Sequence, residues 1–256
     1  MGSRFQHYIA LGDSMSIDLY PALDLGETDV QVALEWDASA GAVAPLGAAS
    51  LLHRNADDRY PEFAGRDLVT HHPGIQFLNI AEDGATIGDV FGMQIPQIPA
   101  SDDRTLITLS VGGNDLLSAF SNRPEPDLLQ HIVNDIGDGY EFLIESLKRS
   151  RPHSTIVLTT IYDPSDDTRH IPGVFDDAGP LPLEFLHAMN DRIRSLAREQ
   201  ARTTVADAYK LFLGHGVTAR EADRWYWKRS WIEPNGPGAS EIRRLWLDAI
   251  DAVAEN

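Results

Sequence analysis

The fold is decided near the start of the chain by residues 8–16, which read YIALGDSMS. The apolar run Tyr8–Leu11 leads directly into a turn, a pattern typical of a strand buried on both faces of a parallel sheet. Comparable runs, rich in β-branched residues and bounded by turn residues, follow at Ile75–Ala81, Leu106–Val111, Thr155–Ile161 and Thr203–Ala206. The sequence therefore predicts five buried parallel strands.

Stretches with helical spacing alternate with these runs. They lie at Val43–Leu52, Ile87–Gln94, Leu128–Leu147, Leu183–Ala201 and Ala239–Val253. Alternation of strand and helix implies right-handed crossovers that cover both faces of the sheet. We therefore expect an α/β fold, a three-layer α/β/α sandwich. No linker, repeat or low-complexity tract interrupts the pattern, so we expect a single domain over residues 1–256.

The composition is that of a globular protein and excludes several classes. Apolar residues make up 43% and charged residues 23% of the 256 residues, which argues against disordered, fibrous and membrane-spanning proteins. Lys and Arg total 21 against 39 Asp and Glu. The resulting formal charge of -18 repels a phosphate backbone, so we expect no nucleic-acid partner. The chain has no cysteine, which excludes disulfides and cysteine nucleophiles.

Two further expectations concern location and cofactors. The first five residues contain no apolar signal segment, and no run reaches about 18 apolar residues, so we expect a cytoplasmic protein without a membrane span. The histidines are scattered without metal-ligand spacing, and we expect neither a metal nor a cofactor. The oligomeric state is left open by the sequence.

Three predicted strands end in residues that suit acyl-transfer chemistry. Ser14 follows the first strand on a tight turn, which presents its hydroxyl as a nucleophile. Gly84 follows the second strand and Asn114 the third. An unobstructed glycine N–H and an asparagine amide both stabilise a developing oxyanion. Each feature alone is also typical of a turn or a helix cap, but ligands of open parallel sheets bind at these strand ends, so together they predict one site.

The chain resembles the SGNH (GDSL-type) hydrolases in three blocks, which are GDSMS at residues 12–16, Gly84, and GGND at residues 112–115. The resemblance extends from residue 7 to about residue 250. It implies a flavodoxin-like central sheet and ester hydrolysis. It also implies that Ser14 is the nucleophile, and that the Ser14 N–H, the Gly84 N–H and the Asn114 side chain form the oxyanion hole.

The fourth block departs from the family pattern. The family ends in Asp-x-x-His-Pro, whereas this chain reads SWIEP at residues 230–234. Glu233 stands in the place of the histidine base, and Ser230 in the place of the aspartate that orients it. The chain is therefore expected to be an atypical member of the family.

Three interpretations of this departure are open. In the first, Glu233 is the base, because burial among apolar neighbours raises a carboxyl pKa toward that of imidazole. In the second, His215, which lies between two glycines after the fifth strand, supplies the base. In the third, the chain has lost hydrolysis and binds an acyl or glycan ligand without turnover. The first is our leading hypothesis: a carboxylic ester hydrolase that acts through an acyl-enzyme on a small-molecule acyl, lipid or acylated-sugar ester.

Overall fold

A five-stranded parallel sheet forms the centre of the fold. The computed structural model describes residues 4–27, 43–121, 125–174 and 179–254. The strands are β1 (His7–Gly12), β2 (Gln76–Asn79), β3 (Thr105–Ser110), β4 (Ser154–Thr159) and β5 (Thr203–Ala206). Their order is β2-β1-β3-β4-β5 and every neighbouring pair is parallel, which is the flavodoxin-like arrangement. The predicted fold class is confirmed.

Helices connect the strands and cover both faces of the sheet. They are α1 (Leu19–Asp24), α2 (Ala48–His53), α3 (Leu68–His71), α4 (Ile87–Asp89), α5 (Gly113–Ser121), α6 (Pro126–Ser150), α7 (Leu183–Glu199), α8 (Ala208–Phe212) and α9 (Gly236–Ala254). Short 3₁₀ turns lie at Pro61–Phe63, Ile95–Gln97 and Glu221–Asp223, and a π turn at Val90–Gln94. An antiparallel hairpin of β6 (Tyr226–Trp227) and β7 (Ser230–Pro234) precedes α9.

The two faces of the sheet pack into separate apolar cores. Along β1, Ile9 and Leu11 join the core built with α6 and α7. Tyr8 and Ala10, whose side chains alternate with them, join the core built with α2 and α9. Both faces of the strand are therefore apolar, which is why the sequence of β1 shows a continuous apolar run.

The last helix is capped at its start and bonded to the sheet near its middle. At its start, the Asn235 side chain accepts a hydrogen bond of 2.8 Å from the Gly238 N–H and so caps the helix. Further along, the fully buried Trp246 donates from its indole nitrogen to Thr159 Oγ1 of β4, at 2.9 Å. The second contact joins α9 to the carboxyl end of β4.

Two helices differ from the expectation. The stretch predicted to be helical from residue 43 becomes helical only at Ala48, because Gly47 is extended and a side chain there would lie 2.1 Å from the Ile17 carbonyl oxygen. The stretch predicted at 87–94 is a single α turn followed by the π turn, which directs Gln94 into the core. Helix α5 and the β6–β7 hairpin were not expected.

This architecture places the candidate site. The sheet reverses its strand order between β1 and β3, and ligands of such sheets bind outside the carboxyl ends at this point. Ser14 follows β1 and Asn114 follows β3. Within the described part of the chain, no helix combines the length and apolar character needed to cross a bilayer.

Candidate active site

The turn that carries Ser14 depends on a glycine that no other residue can replace without strain. Gly12 has a φ of +120°, and a Cβ there would lie 1.8 Å from the Ser110 carbonyl oxygen of β3. That same oxygen accepts the Asp13 N–H at 2.9 Å. The close approach of β1 and β3 therefore sets the direction in which the chain leaves β1.

Gln94 holds the same glycine from the other side. Its amide accepts the Gly12 N–H and donates to the Gly12 carbonyl, both at 2.8 Å. Gln94 is fully buried, so these bonds satisfy both of its polar groups away from water. Sequence reasoning missed this residue, because its role depends on the π turn that brings it to the end of β1.

Ser14 is 7% exposed and lies in the wall of a cavity. The turn around it is held by the Asp13 carboxyl, which accepts the Met15 N–H at 3.1 Å, and by the Ser16 N–H, which donates to the Asp13 carbonyl at 3.1 Å. The Ser14 N–H itself has no acceptor among the described residues. It is therefore a free donor beside its own hydroxyl.

Gly84 lies on the loop after β2, with a φ of +72° and open space where a side chain would stand. Its neighbours tie this loop to the site: the Ala85 carbonyl accepts from the Asn114 side chain at 3.1 Å, and Asp83 accepts from the Tyr20 hydroxyl at 2.8 Å. The Gly84 N–H has no acceptor in the described ranges of the chain. Gly84 itself does not line the cavity that holds Ser14.

Asn114 stands in the first turn of α5 and lines the same cavity as Ser14. One N–H of its side-chain amide donates to the Ala85 carbonyl. Since the amide nitrogen carries two hydrogens, the second remains for an oxyanion. The contact with Ala85 also couples the position of Asn114 to the Gly84 loop.

Glu233 enters the cavity from β7 and is 7% exposed. The Tyr162 hydroxyl donates to the carbonyl of the preceding residue, Ile232, at 2.6 Å. On the other side, the Asn235 side chain donates to the Arg224 carbonyl at 2.8 Å. The backbone on both sides of Glu233 is thus anchored, yet its Oε2 is buried without a hydrogen-bond partner among the described residues.

The environment of Glu233 tunes its acidity. Burial raises the pKa of Glu233 to about 7, and the negative charge of Asp83 adds to the rise. The Ser14 hydroxyl has the opposite effect. It lowers the pKa of Glu233, because as a hydrogen-bond donor it favours the charged carboxylate. The structure therefore brings the hydroxyl of Ser14 beside a carboxyl group that titrates near neutrality.

Asp13 is a second buried carboxyl group in this cavity, at 4% exposure. Burial raises the pKa of Asp13 to about 8, and the charges of Glu233 and Asp115 contribute to the rise. Sequence reasoning treated Asp13 only as part of the turn. The position of Asp13 directly before Ser14 was the one sequence signal for a role in the site. The burial of Asp13 could not be predicted, because it depends on how the turn folds.

His215 occupies a different place. It does not line the cavity that contains Ser14 and Glu233. Its ring stacks on Trp225 with 3.5 Å between centroids and 4° between planes, and its Nδ1 lies 2.8 Å from the Asp223 carbonyl oxygen. Ser230, at the position of the family's aspartate, pairs with Trp227 in the β6–β7 hairpin.

The cavity has a volume of about 80 Å³. Ser14, Asn114 and Glu233 line one part of it, and the rest is mainly apolar, with side chains from α5, from the loop after β4 and from α7. In the described ranges, no group of three or more His, Asp or Glu residues is placed to hold a metal ion.

Three solved structures illustrate what the fold resembles. An extracellular lipase from Streptomyces rimosus is 17% identical, with a TM-score of 0.57 over 95% of this chain and 99% of that one. A phospholipase A1 from Streptomyces albidoflavus NA297 is 16% identical, with a TM-score of 0.61 over 97% and 99%. An acetylxylan esterase from Geobacillus stearothermophilus, Axe2, is 15% identical, with a TM-score of 0.57 over 97% and 95%. At these identities the likeness establishes the fold.

Sequence comparison establishes the family. No curated protein is significantly similar to the chain in sequence. The profile of the GDSL-like lipase/acylhydrolase family, however, matches residues 35–239. This segment contains Gly84, Asn114 and Glu233 but begins after Ser14. It covers most of the chain, and the chain therefore belongs to the GDSL-like lipase/acylhydrolase family of hydrolases.

Proposed function

We propose that the protein is a serine-dependent carboxylic ester hydrolase in which Glu233 replaces the usual histidine base. The observation that carries the proposal is that Ser14 and the buried Glu233 carboxyl group line one cavity, which Asn114 also lines. A nucleophile beside a base, with oxyanion donors next to both, is the arrangement that acyl transfer requires.

The reaction has two steps in this geometry. In the first, Glu233 takes the hydroxyl proton as Ser14 Oγ bonds to the ester carbonyl carbon, and the oxyanion accepts from the Ser14 N–H, the Gly84 N–H and the Asn114 amide. Glu233 then returns the proton to the departing alcohol, which leaves an acyl-enzyme. In the second, Glu233 removes a proton from water as the water attacks, and protonates Ser14 as the acid leaves.

The acidity of Glu233 makes this assignment chemically reasonable. An ordinary glutamate is about two pKa units less basic than imidazole, which corresponds to roughly 3 kcal/mol of driving force for proton removal. Burial raises the pKa of Glu233 to about 7 and so removes this deficit. A carboxylate, unlike imidazole, has no tautomers and so needs no aspartate to select one. Ser230 at the position of the family's aspartate is therefore compatible with Glu233 as the base.

Covalent labelling and turnover test the proposal together. A fluorophosphonate probe should label the wild type but not Ser14→Ala, since only an activated serine reacts. With a p-nitrophenyl ester, Glu233→Gln should lose roughly 10²–10⁴ in kcat/KM, the usual contribution of a general base. His215→Ala is the matched control and should retain most activity, because His215 lies outside the cavity.

Two outcomes would reject this assignment. Retention of activity in Glu233→Gln together with its loss in His215→Ala would make His215 the base. Absence of both labelling and turnover across short and medium acyl esters would leave a protein that binds without catalysis.

A further inference from the structure

We propose that Tyr162 is the positioning residue of the base: its hydroxyl holds the bulged segment of β7 that carries Glu233, and so performs the task of the aspartate in the usual family site. This inference rests on the proposed role of Glu233 and adds a residue to that site. It follows from the irregular pairing of the hairpin, from the hydrogen bond of the Tyr162 hydroxyl, and from the packing of its ring.

The segment that carries Glu233 lies outside the regular pairing of its hairpin. The register of β6 and β7 consists of two pairs with a shift between them, Tyr226 with Pro234 and Trp227 with Ser230. Residues 231–233 therefore bulge from β7 and face no partner residue on β6. A bulge redirects a side chain, but its backbone leaves the regular ladder. Glu233 thus depends on contacts from other elements for its place.

The Tyr162 hydroxyl supplies such a contact. It donates to the carbonyl of Ile232, in the middle of the bulge, at 2.6 Å. Asn235 anchors the chain after the strand has ended, through its bond to the Arg224 carbonyl. The Glu233 carboxyl group adds no anchor through Oε2, which is buried without a partner among the described residues. The bond from Tyr162 therefore fixes the backbone directly before the base.

Packing makes the Tyr162 side chain a rigid donor. Tyr162 follows β4 and is 7% exposed. Its ring stacks on the buried Phe212 of α8, with 5.0 Å between centroids and 20° between planes, and meets the Tyr226 ring edge-on at 5.1 Å. Because Tyr162 extends from the sheet, its bond ties Glu233 to the same sheet from which the turn with Ser14 projects.

A loosened bulge should impair proton transfer more than ester binding. A general base acts within roughly 2.6–3.2 Å of the atom that gives up the proton, and a misplacement of about 1 Å costs roughly a hundredfold in rate. Tyr162→Phe removes one oxygen atom and keeps the ring. With a p-nitrophenyl ester, kcat should therefore fall at least roughly tenfold, while KM should stay within about twofold, because the apolar part of the cavity is unchanged.

The acidic limb of the pH profile should move as well. The titratable groups that act on Glu233 are Asp13 after β1, Asp83 after β2, Tyr20 in α1 and Tyr162 after β4. Burial raises the pKa of Tyr162 well above its ordinary value, so Tyr162→Phe removes no charge. Burial also raises the pKa of Glu233, and a looser bulge admits water to its carboxyl group. The midpoint should therefore fall from about 7 by at least about half a pH unit, which a loss of fold stability alone does not produce.

A double-mutant cycle distinguishes a positioning residue from one that only stabilises the fold. Tyr162→Phe should lower kcat further by less than about twofold in the Glu233→Gln background, because it acts through the carboxylate. Tyr226→Phe is the matched control. It removes a hydroxyl from the same aromatic cluster, and this hydroxyl is buried without a hydrogen-bond partner among the described residues, so kcat and the acidic limb should not change. Thermal unfolding checks that each variant is folded.

The outcomes separate this inference from the proposed function. Unchanged kcat and an unmoved limb in Tyr162→Phe, an equal loss in the Glu233→Gln background, or an equal change in Tyr226→Phe overturns the inference and leaves Glu233 as the base. Retention of activity in Glu233→Gln overturns the proposed function and this inference with it. If Tyr162→Phe fails to fold, Phe212→Leu decides, because it removes the ring that aims the hydroxyl. Both kcat and the midpoint should then fall, and unchanged values overturn the inference.

Discussion

The carboxyl groups of Asp13 and Glu233 interact electrostatically inside the cavity that holds the Ser14 hydroxyl. Burial raises the pKa of Glu233 to about 7 and that of Asp13 to about 8, and the charge on Glu233 contributes to the second rise. Both carboxyl groups therefore hold their protons to a higher pH than an ordinary carboxyl group does. Burial and charge repulsion thus give the site two carboxyl groups that titrate near neutrality.

Glu233 should set the acidic limb of the pH profile. Because the base must be ionised, kcat/KM for a p-nitrophenyl ester should rise with pH through about 7, the raised pKa of Glu233. Measurement from pH 5 to 10 gives the midpoint. A limb near pH 4 to 5, or an unchanged limb in Glu233→Gln, would show that another group is the base.

Asp13 should set an alkaline limb. Above its raised pKa of about 8, Asp13 ionises and places a second negative charge near the developing oxyanion, so kcat/KM of the wild type should fall. Asp13→Asn keeps an oxygen that accepts the Met15 N–H but removes the titration. The alkaline limb should vanish in this variant while the acidic limb remains, and a limb that persists in Asp13→Asn contradicts the assignment.

The same carboxyl group links stability to pH. The pKa of Asp13 is raised to about 8 in the folded protein, against about 4 when unfolded, so its stabilising contribution is present below pH 4 and is lost as the pH rises toward 8. The melting temperature of Asp13→Asn relative to wild type should therefore increase from pH 6 to pH 9, by at least a few degrees. Thermal unfolding at both pH values measures the difference, and a constant difference would mean that Asp13 is ionised throughout.

Gln94 should be essential for the stability of the turn that carries Ser14. Gln94→Ala leaves the Gly12 N–H buried without a partner, at a cost of about 1–3 kcal/mol, and leaves the Gly12 carbonyl with only the Glu82 N–H as a donor. Urea unfolding should show this loss. Gln97→Ala is the matched control three residues away, since its side chain is exposed and donates only to the Met93 carbonyl, and it should cost less than about 0.5 kcal/mol. Equal effects of the two substitutions would refute the role of Gln94.

The sheet was predictable because its three central strands, β1, β3 and β4, are buried on both faces. Continuous apolar runs such as Tyr8–Leu11 mark such strands, and their alternation with helical spacing determines the layers. The start of α2 and the π turn before Gln94 were not predictable, because they depend on close contacts of Gly47 with Ile17 and of Gln94 with Gly12. The hairpin that carries Glu233 is short and lacks a strong alternating pattern.

The candidate site was predictable only in part. Ser14, Asn114 and Glu233 stand in motifs that the sequence displays, and the structure brings them to one cavity. The raised pKa values of Glu233 and Asp13 could not be predicted from the sequence, because they arise from burial by elements that are distant in sequence.

Asn114 should act on the transition state rather than on substrate binding. Its free amide hydrogen meets the oxyanion only when the carbonyl oxygen becomes charged, so Asn114→Ala should lower kcat roughly 10²–10³-fold with little change in KM. The loss should lie toward the upper end, because the substitution also frees the Ala85 carbonyl that fixes the Gly84 loop. Asn134→Ala, at an exposed position on α6, should leave both constants unchanged. A raised KM with an unchanged kcat would instead assign Asn114 to uniform binding of the ester.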